Sequence, residues 1–121
     1  MNTMKKYLPL LLMVLLAFAG CQSGPATYEP TDNPRDVVTH AEKFVKQVSK
    51  QAKHYTAEEW DAAVEQFVCM SKNYYESYRF LTEEERMQFD QARLKFMQAV
   101  STNGSEDLTS RIKAEYARIF E

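Results

Sequence analysis

Apolar residues at helical spacing constrain the fold of this chain more than any other feature of its sequence. Between residues 34 and 121 they recur every three or four positions, which places them on one face of successive helices. The first such stripe is Val37, Val38, Ala41, Phe44, Val45, Val48 and Ala52. A later one is Phe89, Ala92, Phe96, Ala99 and Val100. No segment shows the strict alternation of a half-buried strand, so the pattern predicts an all-α domain.

Residues that cap helices precede each predicted helix. Asn33 followed by Pro34 indicates the first start, and Ser105 indicates the last. Thr56–Glu59 and Thr82–Glu85 each have the spacing of a capping box. The similar strings YTAEEW and LTEEER are either a weak internal repeat or two independent uses of one favourable cap.

These starts and stripes predict an antiparallel bundle of three long helices and a shorter C-terminal helix, because the connections between the helices are short. Gly104 is expected to supply a left-handed residue in the last turn. The last helix should turn Leu108, Ile112, Tyr116 and Ile119 inwards. The second should turn Trp60, Val64, Phe67, Val68, Ser71, Tyr75 and Tyr78 inwards, with Tyr74 beside them.

Charge and cysteine content exclude several classes of protein. The formal charge of −2 gives no reason to expect a partner nucleic acid. Two cysteines are too few for a disulfide-rich scaffold or a four-cysteine zinc site. The sequence therefore predicts a globular helical domain with no nucleic-acid partner.

The N-terminus carries the features of an export signal. Lys5 and Lys6 give a basic start, and Leu8–Ala19 is an apolar run interrupted only by a proline. A membrane-spanning helix needs about 20 apolar residues, so this run fits a cleaved signal better than a permanent anchor. The string Phe18-Ala19-Gly20-Cys21 that follows resembles the lipobox of bacterial lipoprotein precursors, with Phe18 where Leu is usual. The alternative is an ordinary secretory signal with a chance cysteine.

The resemblance implies that residues 1–20 are removed and that Cys21 carries acyl chains such as palmitate. Two or more chains give stable membrane anchoring, whereas one chain binds only reversibly. Residues 21–33 are then expected to form the lipidated cysteine and a flexible tether, since Gln22–Asn33 is polar and contains two prolines. Gln22 does not match the Asp that retains lipoproteins in the inner membrane of enteric bacteria. The resemblance therefore favours the outer membrane, facing the periplasm.

Residues that could carry chemistry are few and scattered. His40 and His54 lie roughly 21 Å apart if one helix joins them, so one metal ion cannot bridge them. Cys69 is either a small buried hydrophobe or a partner in an intermolecular disulfide. The carboxylates cluster at helix starts, where capping and the helix dipole explain them. We expect no enzyme activity, no catalytic residue, no cofactor and no metal.

Two surfaces remain as candidates for binding. Lys43, Lys46, Lys50 and Lys53 form either a solvated face or a contact with anionic headgroups or cell-wall polymer. Tyr74, Tyr75 and Tyr78 bunch with Phe80 at the end of the second helix. Core packing explains some of these rings, but together they span more of the helix than a core stripe needs. We therefore predict that these tyrosines contact a partner.

The sequence favours a non-enzymatic envelope lipoprotein whose helical domain binds a protein or cell-wall partner. Leu81–Arg86 is also similar to the LTxxQ helix start of the Spy and CpxP family of periplasmic proteins, with Glu85 in place of Gln. That resemblance implies a holdase chaperone or an envelope stress sensor as an alternative. Inhibition of a secreted hydrolase is a further alternative. The oligomeric state is left open.

Overall fold

The computed structural model describes residues 24–120, and this part of the chain contains four α-helices and no strand. The helices are α1 (Pro34–Gln51), α2 (Ala57–Ser77), α3 (Glu83–Asn103) and α4 (Glu106–Phe120). Short 3₁₀ turns follow α1 at Ala52–His54 and α2 at Tyr78–Phe80. The predicted all-α antiparallel bundle of three long helices and a shorter fourth is confirmed. None of the described helices is long and apolar enough to cross a membrane.

Both predicted capping boxes form. The Thr56 hydroxyl accepts a hydrogen bond from the Glu59 amide at 3.1 Å, and the Glu59 carboxylate accepts one from the Thr56 amide at 2.8 Å. The box at Thr82–Glu85 has the same two bonds, at 3.0 and 2.8 Å. Tyr55 and Trp60 pack edge to face across the start of α2, with ring centroids 5.0 Å apart. Local side-chain chemistry therefore fixes where α2 and α3 begin.

Simpler caps begin the other two helices. The Asn33 side chain accepts a hydrogen bond from the Arg35 amide at 3.1 Å, with Pro34 in the first turn of α1. The Ser105 hydroxyl accepts one from the Leu108 amide at 3.1 Å at the start of α4. Removing a cap of this kind costs about 0.5–2 kcal/mol.

Aromatic rings stacked between helices form the centre of the core. Phe96 of α3 stacks on Phe67 of α2 and on Phe44 of α1, with centroid distances of 4.5 and 5.8 Å. Tyr74 of α2 lies flat on Phe89 of α3, with centroids 3.7 Å apart. The stripes predicted for α1 and α3 are buried throughout. Leu108 and Ile112 of α4 are buried as well, while Tyr116 and Ile119 are partly buried.

The inward face of α2 differs from the prediction near its C-terminal end. Tyr75 and Tyr78 are 54% and 43% exposed, whereas Tyr74 is only 3% exposed. Val68 is partly buried rather than central. Because a helical turn takes about 3.6 residues, the three tyrosines cannot all face one neighbour. Phe89 stacks on Tyr74, and this leaves Tyr75 and Tyr78 turned outwards.

Residues 24–33 form an extended strap that packs along α2. They contain no helix, as expected for a tether, but Ala26 and Tyr28 are buried. The Ala26 amide donates to the Tyr55 hydroxyl at 3.2 Å, and the Tyr28 amide donates to the Gln66 side chain at 2.8 Å. In residues 26–31 the predicted tether is thus a packed part of the domain. Residues 1–23, with the predicted signal peptide and Cys21, lie outside the described residues.

Asn73 of α2 holds the second half of the strap. Its side-chain oxygen accepts hydrogen bonds from the Tyr28 hydroxyl at 2.7 Å and the Thr31 amide at 3.0 Å. Its side-chain nitrogen donates to the Thr31 carbonyl at 3.0 Å. From α1, the ring Nδ1 of His40 lies 2.7 Å from the Glu29 carbonyl, which accepts its proton. A buried amide is stable only when its polar atoms are satisfied, and the strap satisfies those of Asn73.

The strap gives the bundle two distinct ends. It runs in the direction of α2, from Tyr55 before the helix to Asn73 near its last turn. We call the end beside Gly24 and Tyr55 the entry end, and the end formed by the Tyr78–Phe80 turn the far end. The 21 residues of α2 separate the two ends by about 32 Å.

Gly104 is needed for a different reason than the one predicted. Its φ is −101°, so it is not left-handed. A Cβ at this position would lie 2.8 Å from the Val100 carbonyl oxygen and 2.9 Å from Cδ2 of Leu108. The close approach of α4 to the end of α3 is therefore what excludes a side chain.

We expect Gly104→Ala to lower the free energy of unfolding by about 1–3 kcal/mol, because the added methyl group must displace a backbone carbonyl or Leu108. Denaturant unfolding of the full chain measures the change. Gly24→Ala is the matched control, since a Cβ there meets nothing within 4 Å. A Gly104→Ala variant as stable as the unmodified chain would contradict this explanation.

Candidate partner-binding surface

Aromatic and arginine side chains gather at the far end of the bundle. We call this surface the aromatic tip; it comprises Tyr75, Tyr78, Arg79, Phe80, Arg86 and Phe120. Tyr75, Tyr78 and Phe80 are 54%, 43% and 64% exposed. Phe120, at the end of α4, packs edge-on against Tyr75 with ring centroids 5.3 Å apart. Clustered exposed apolar side chains are typical of recognition surfaces.

An open cavity of about 550 Å³ lies within the aromatic tip. The rings of Tyr75, Tyr78 and Phe120 line it together with Glu76 and Arg79. Its walls therefore combine flat apolar surface with one acidic and one basic group. Such a cavity suits a side chain of a partner that is apolar in its body and polar at its end.

The two arginines of the tip are held against aromatic rings. The guanidinium of Arg86 lies 3.9 Å from the centre of the Tyr78 ring, and it donates two hydrogen bonds to the Tyr78 carbonyl, at 3.1 and 2.8 Å. The guanidinium of Arg79 lies 5.3 Å from the centre of the Phe80 ring. The hydrogen bonds and ring contact of Arg86 favour one conformation of its side chain, so less conformational entropy is lost there when a partner docks.

Tyr74 lies beneath the tip rather than in it. It is 3% exposed, so its ring is not available to a partner. It stacks on Phe89 and meets Tyr78 edge to face, with a centroid distance of 5.5 Å to Tyr78. Phe120 lies 6.1 Å away by the same measure. Of the three predicted contact tyrosines, Tyr75 and Tyr78 are exposed, and Tyr74 supports them.

Burial sets the ionisation of the supporting tyrosine. Desolvation, with a smaller contribution from the Asp90 carboxylate, raises the pKa of Tyr74 from 10.0 to about 12. Desolvation also raises the pKa of Tyr116, which packs on Phe120. The neutral phenol is therefore the stable form under the tip at physiological pH.

The histidines do not converge on a site. His40 binds the strap through the Glu29 carbonyl, and its ring meets Tyr28 edge to face at 6.4 Å. His54 is exposed in the 3₁₀ turn at the entry end. In residues 24–120 no three histidine, cysteine, aspartate or glutamate side chains come close enough to hold a metal ion.

Cys69 is a free thiol, partly buried against the core. Burial raises its pKa above the ordinary 9.0, an effect that Lys72 partly offsets. A protonated, half-buried thiol agrees with its interpretation as a small hydrophobe. The alternative, an intermolecular disulfide, stays a prediction.

A larger groove of about 710 Å³ lies between α1 and α3 and has both polar and apolar walls. Lys46 and Lys95 line it together with the glutamines Gln88, Gln91 and Gln98. The four lysines predicted to share a face of the first helix are all exposed, and Lys46 is the one that reaches this groove. No residue of the aromatic tip takes part in it.

Sequence reasoning missed three residues of the tip. Phe120 lies more than forty positions from Tyr75 in the sequence, so only the packing of α4 on α2 joins them. The sequence could have indicated Arg79 and Arg86, because each lies within a few residues of the aromatic cluster at the end of α2. The predicted lipidation site at Cys21 lies outside the described residues.

We expect stability to fall as the pH rises from about 10 to about 12, because the raised pKa of Tyr74 makes the folded state favour the neutral phenol. That contribution is complete below pH 10 and disappears as the folded-state tyrosine ionises. Tyr74→Phe should therefore lose less unfolding free energy between pH 8 and pH 11.5 than the unmodified chain. Denaturant unfolding at both pH values measures this, with the exposed Tyr75→Phe as control. The same loss in all three chains would contradict the assignment.

Comparison with known proteins places the chain in a family. Residues 48–121 match the family described as Domain of unknown function (DUF6565). The match begins in the last turn of α1 and includes α2, α3 and α4, so the whole aromatic tip lies within it. No curated protein and no solved structure shows significant similarity. Because the match covers more than half of its length, the chain belongs to the DUF6565 family.

Proposed function

We propose that this chain is a lipoprotein of the cell envelope, anchored through Cys21, whose helical domain binds a partner protein at the aromatic tip. The observation that carries the proposal is the position of the tip. Three exposed aromatic side chains and two arginines lie at the far end of the bundle, away from the end at which the chain arrives from Cys21. The role assigned to the domain is binding, with no catalytic step.

The anchor is supported by the sequence. A basic and apolar signal precedes Phe18-Ala19-Gly20-Cys21, which resembles a lipobox. Cys21 is three residues before Gly24, so the two Cα atoms are at most about 11 Å apart. A bilayer that holds acyl chains at Cys21 would therefore lie close to the entry end. By the same resemblance, we propose the outer membrane, with the domain in the periplasm.

This arrangement directs the tip away from the lipid. With the entry end at the membrane, the length of α2 carries the tip about 32 Å outwards. The hydrogen bonds of the strap to Gln66 and Asn73 support that direction, because they tie the incoming chain to the second half of α2. A partner in the periplasm could then reach the tip without displacing lipid.

The composition of the tip favours a protein as the partner. Tyrosine and arginine dominate the residues that contribute most to protein–protein binding. In the tip, their side chains are held by stacking and by hydrogen bonds, which reduces the entropy lost on docking. The similarity of Leu81–Arg86 to Spy and CpxP adds no support for a holdase, because the capping box at Thr82–Glu85 accounts for the same letters.

Photocrosslinking from the tip tests the proposal in the intact envelope. A photoreactive phenylalanine replaces Tyr75 in the full chain, which is expressed in a Gram-negative host and illuminated. We expect one or a few discrete adducts of higher mass in the membrane fraction. In a Cys21→Ser version, the protein should leave the membrane fraction, because it has no acyl anchor.

The matched control carries the same photoreactive residue at Lys53, which is exposed at the entry end. Adducts of equal yield from both positions, or none from Tyr75, would contradict the proposed binding surface. Membrane fractionation unaffected by Cys21→Ser would contradict the anchor. A broad smear of adducts, whose intensity increases when unfolded protein accumulates in the periplasm, would favour a holdase instead.

A further inference from the structure

The groove between α1 and α3 lies on the basic side of a chain whose formal charge is −2. Residues 34–54, which form α1 and its 3₁₀ turn, carry five basic and two acidic side chains. Residues 57–77, which form α2, carry five acidic side chains and one basic side chain. The charges are therefore separated between the helices, and the groove opens beside the basic helix. A ligand drawn to this groove by charge is an anion.

Two lysines come from opposite walls of the groove. Lys46 belongs to α1 and Lys95 to α3, and both are exposed. In residues 24–120 neither lysine takes part in an ion pair. Their ammonium groups are therefore free to bind an anion. Among the described residues that line the groove, only Glu42 carries a carboxylate, one helical turn before Lys46.

The remaining polar walls consist mainly of side chains that both donate and accept hydrogen bonds. They include the amides of Gln88, Gln91 and Gln98 and the hydroxyls of Ser49 and Thr102. An amide or hydroxyl of this kind can donate to one group and accept from another. Because a sugar hydroxyl makes the same two kinds of bond, these walls match a hydroxyl-rich ligand better than a bare ion.

Short buried side chains form the floor of the groove. Val45, Ala92 and Ala99 line it and are at most 8% exposed. Their apolar surface suits the flat face of a sugar ring, which carries C–H groups. From Gln88 to Thr102 the groove follows α3 for about 21 Å, which is longer than a single small anion. Its volume of about 710 Å³ lies within the usual range of small-molecule sites.

We infer that this groove binds an anionic oligosaccharide. The sugar rings lie on the apolar floor, their hydroxyls bond to the glutamines, and an acidic group of the ligand lies between Lys46 and Lys95. Glu42 accepts a hydrogen bond from a hydroxyl and disfavours a second acidic group beside it. No residue of the aromatic tip lines the groove, so the inference does not require the tip to bind a protein.

An anionic lipid surface fits the groove less well than a soluble glycan. α1 and α3 both end near Tyr55, so the groove runs along the side of the bundle rather than across the entry end. The first turns of α2 and α4 place four carboxylates at that end, namely Glu58, Glu59, Glu106 and Asp107. These carboxylates repel anionic headgroups. The glycan is therefore the ligand that the charges favour.

Isothermal titration calorimetry of the full chain, in a neutral detergent without a sugar headgroup, tests the class of ligand. The probes are tetragalacturonate, which has carboxylates on sugar rings, the neutral sugar chitotetraose, and citrate, which has carboxylates but no ring. We expect tetragalacturonate to bind at least tenfold more tightly than either of the others, and less tightly as salt is added. Equal binding of chitotetraose or of citrate, or no binding of tetragalacturonate, would overturn the inference.

Substitutions in the full chain test the position of the site. Lys46→Gln and Lys95→Gln should each weaken the binding of tetragalacturonate several-fold, and Glu42→Gln should strengthen it. Lys43→Gln is the matched control, because Lys43 is an exposed lysine of α1 that does not line the groove. Circular dichroism confirms that each variant is folded. An equal loss of affinity in Lys43→Gln, or an unchanged affinity in both groove variants, would show that the glycan does not bind in this groove.

Discussion

The side-chain amide of Asn73 is the interaction on which the layout of this domain depends. Inside the bundle, its oxygen accepts from the Tyr28 hydroxyl and the Thr31 amide, and its nitrogen donates to the Thr31 carbonyl. A buried amide without such partners would cost about 1–3 kcal/mol. The strap and α2 therefore stabilise each other: the strap satisfies Asn73, and Asn73 holds the strap in one direction.

That direction gives the two ends of the bundle different roles. The chain arrives at the entry end, and the far end carries the rings of Tyr75, Tyr78 and Phe80. The stacking of Tyr74 on Phe89 supplies a rigid base for those rings. A binding surface that is held rigidly, at a fixed distance from the attachment point, loses little conformational entropy when a partner binds. Such a surface suits a protein that binds a partner away from the membrane.

Local rules predicted most of the fold. The capping boxes and apolar stripes depend on residues close in sequence. Both boxes and the stripes of α1 and α3 are found where expected, whereas the stripe of α2 departs from the prediction near its C-terminal end. The burial of Ala26 and Tyr28 was not predictable, because a polar stretch with prolines indicates an extended chain and does not show what it packs on. Asn73, a polar residue near the buried line of α2, was the available signal. In the tip, the sequence showed more aromatic residues near Tyr75 than a core stripe needs, but it did not show which of them is exposed. The contact of Tyr75 with Phe120 was not predictable, because Phe120 belongs to a helix distant in sequence.

Amide hydrogen exchange of the strap tests the central claim most directly. If the strap is docked on α2, the amides of Tyr28 and Thr31 should exchange slowly, because each donates to a side chain of α2. In an Asn73→Ala variant, the Thr31 amide should exchange as fast as in an unfolded peptide, while amides in the middle of α2 stay protected. Exchange of both strap amides at unfolded rates in the unmodified chain would contradict the docked strap, and with it the separation of the aromatic tip from the point of attachment.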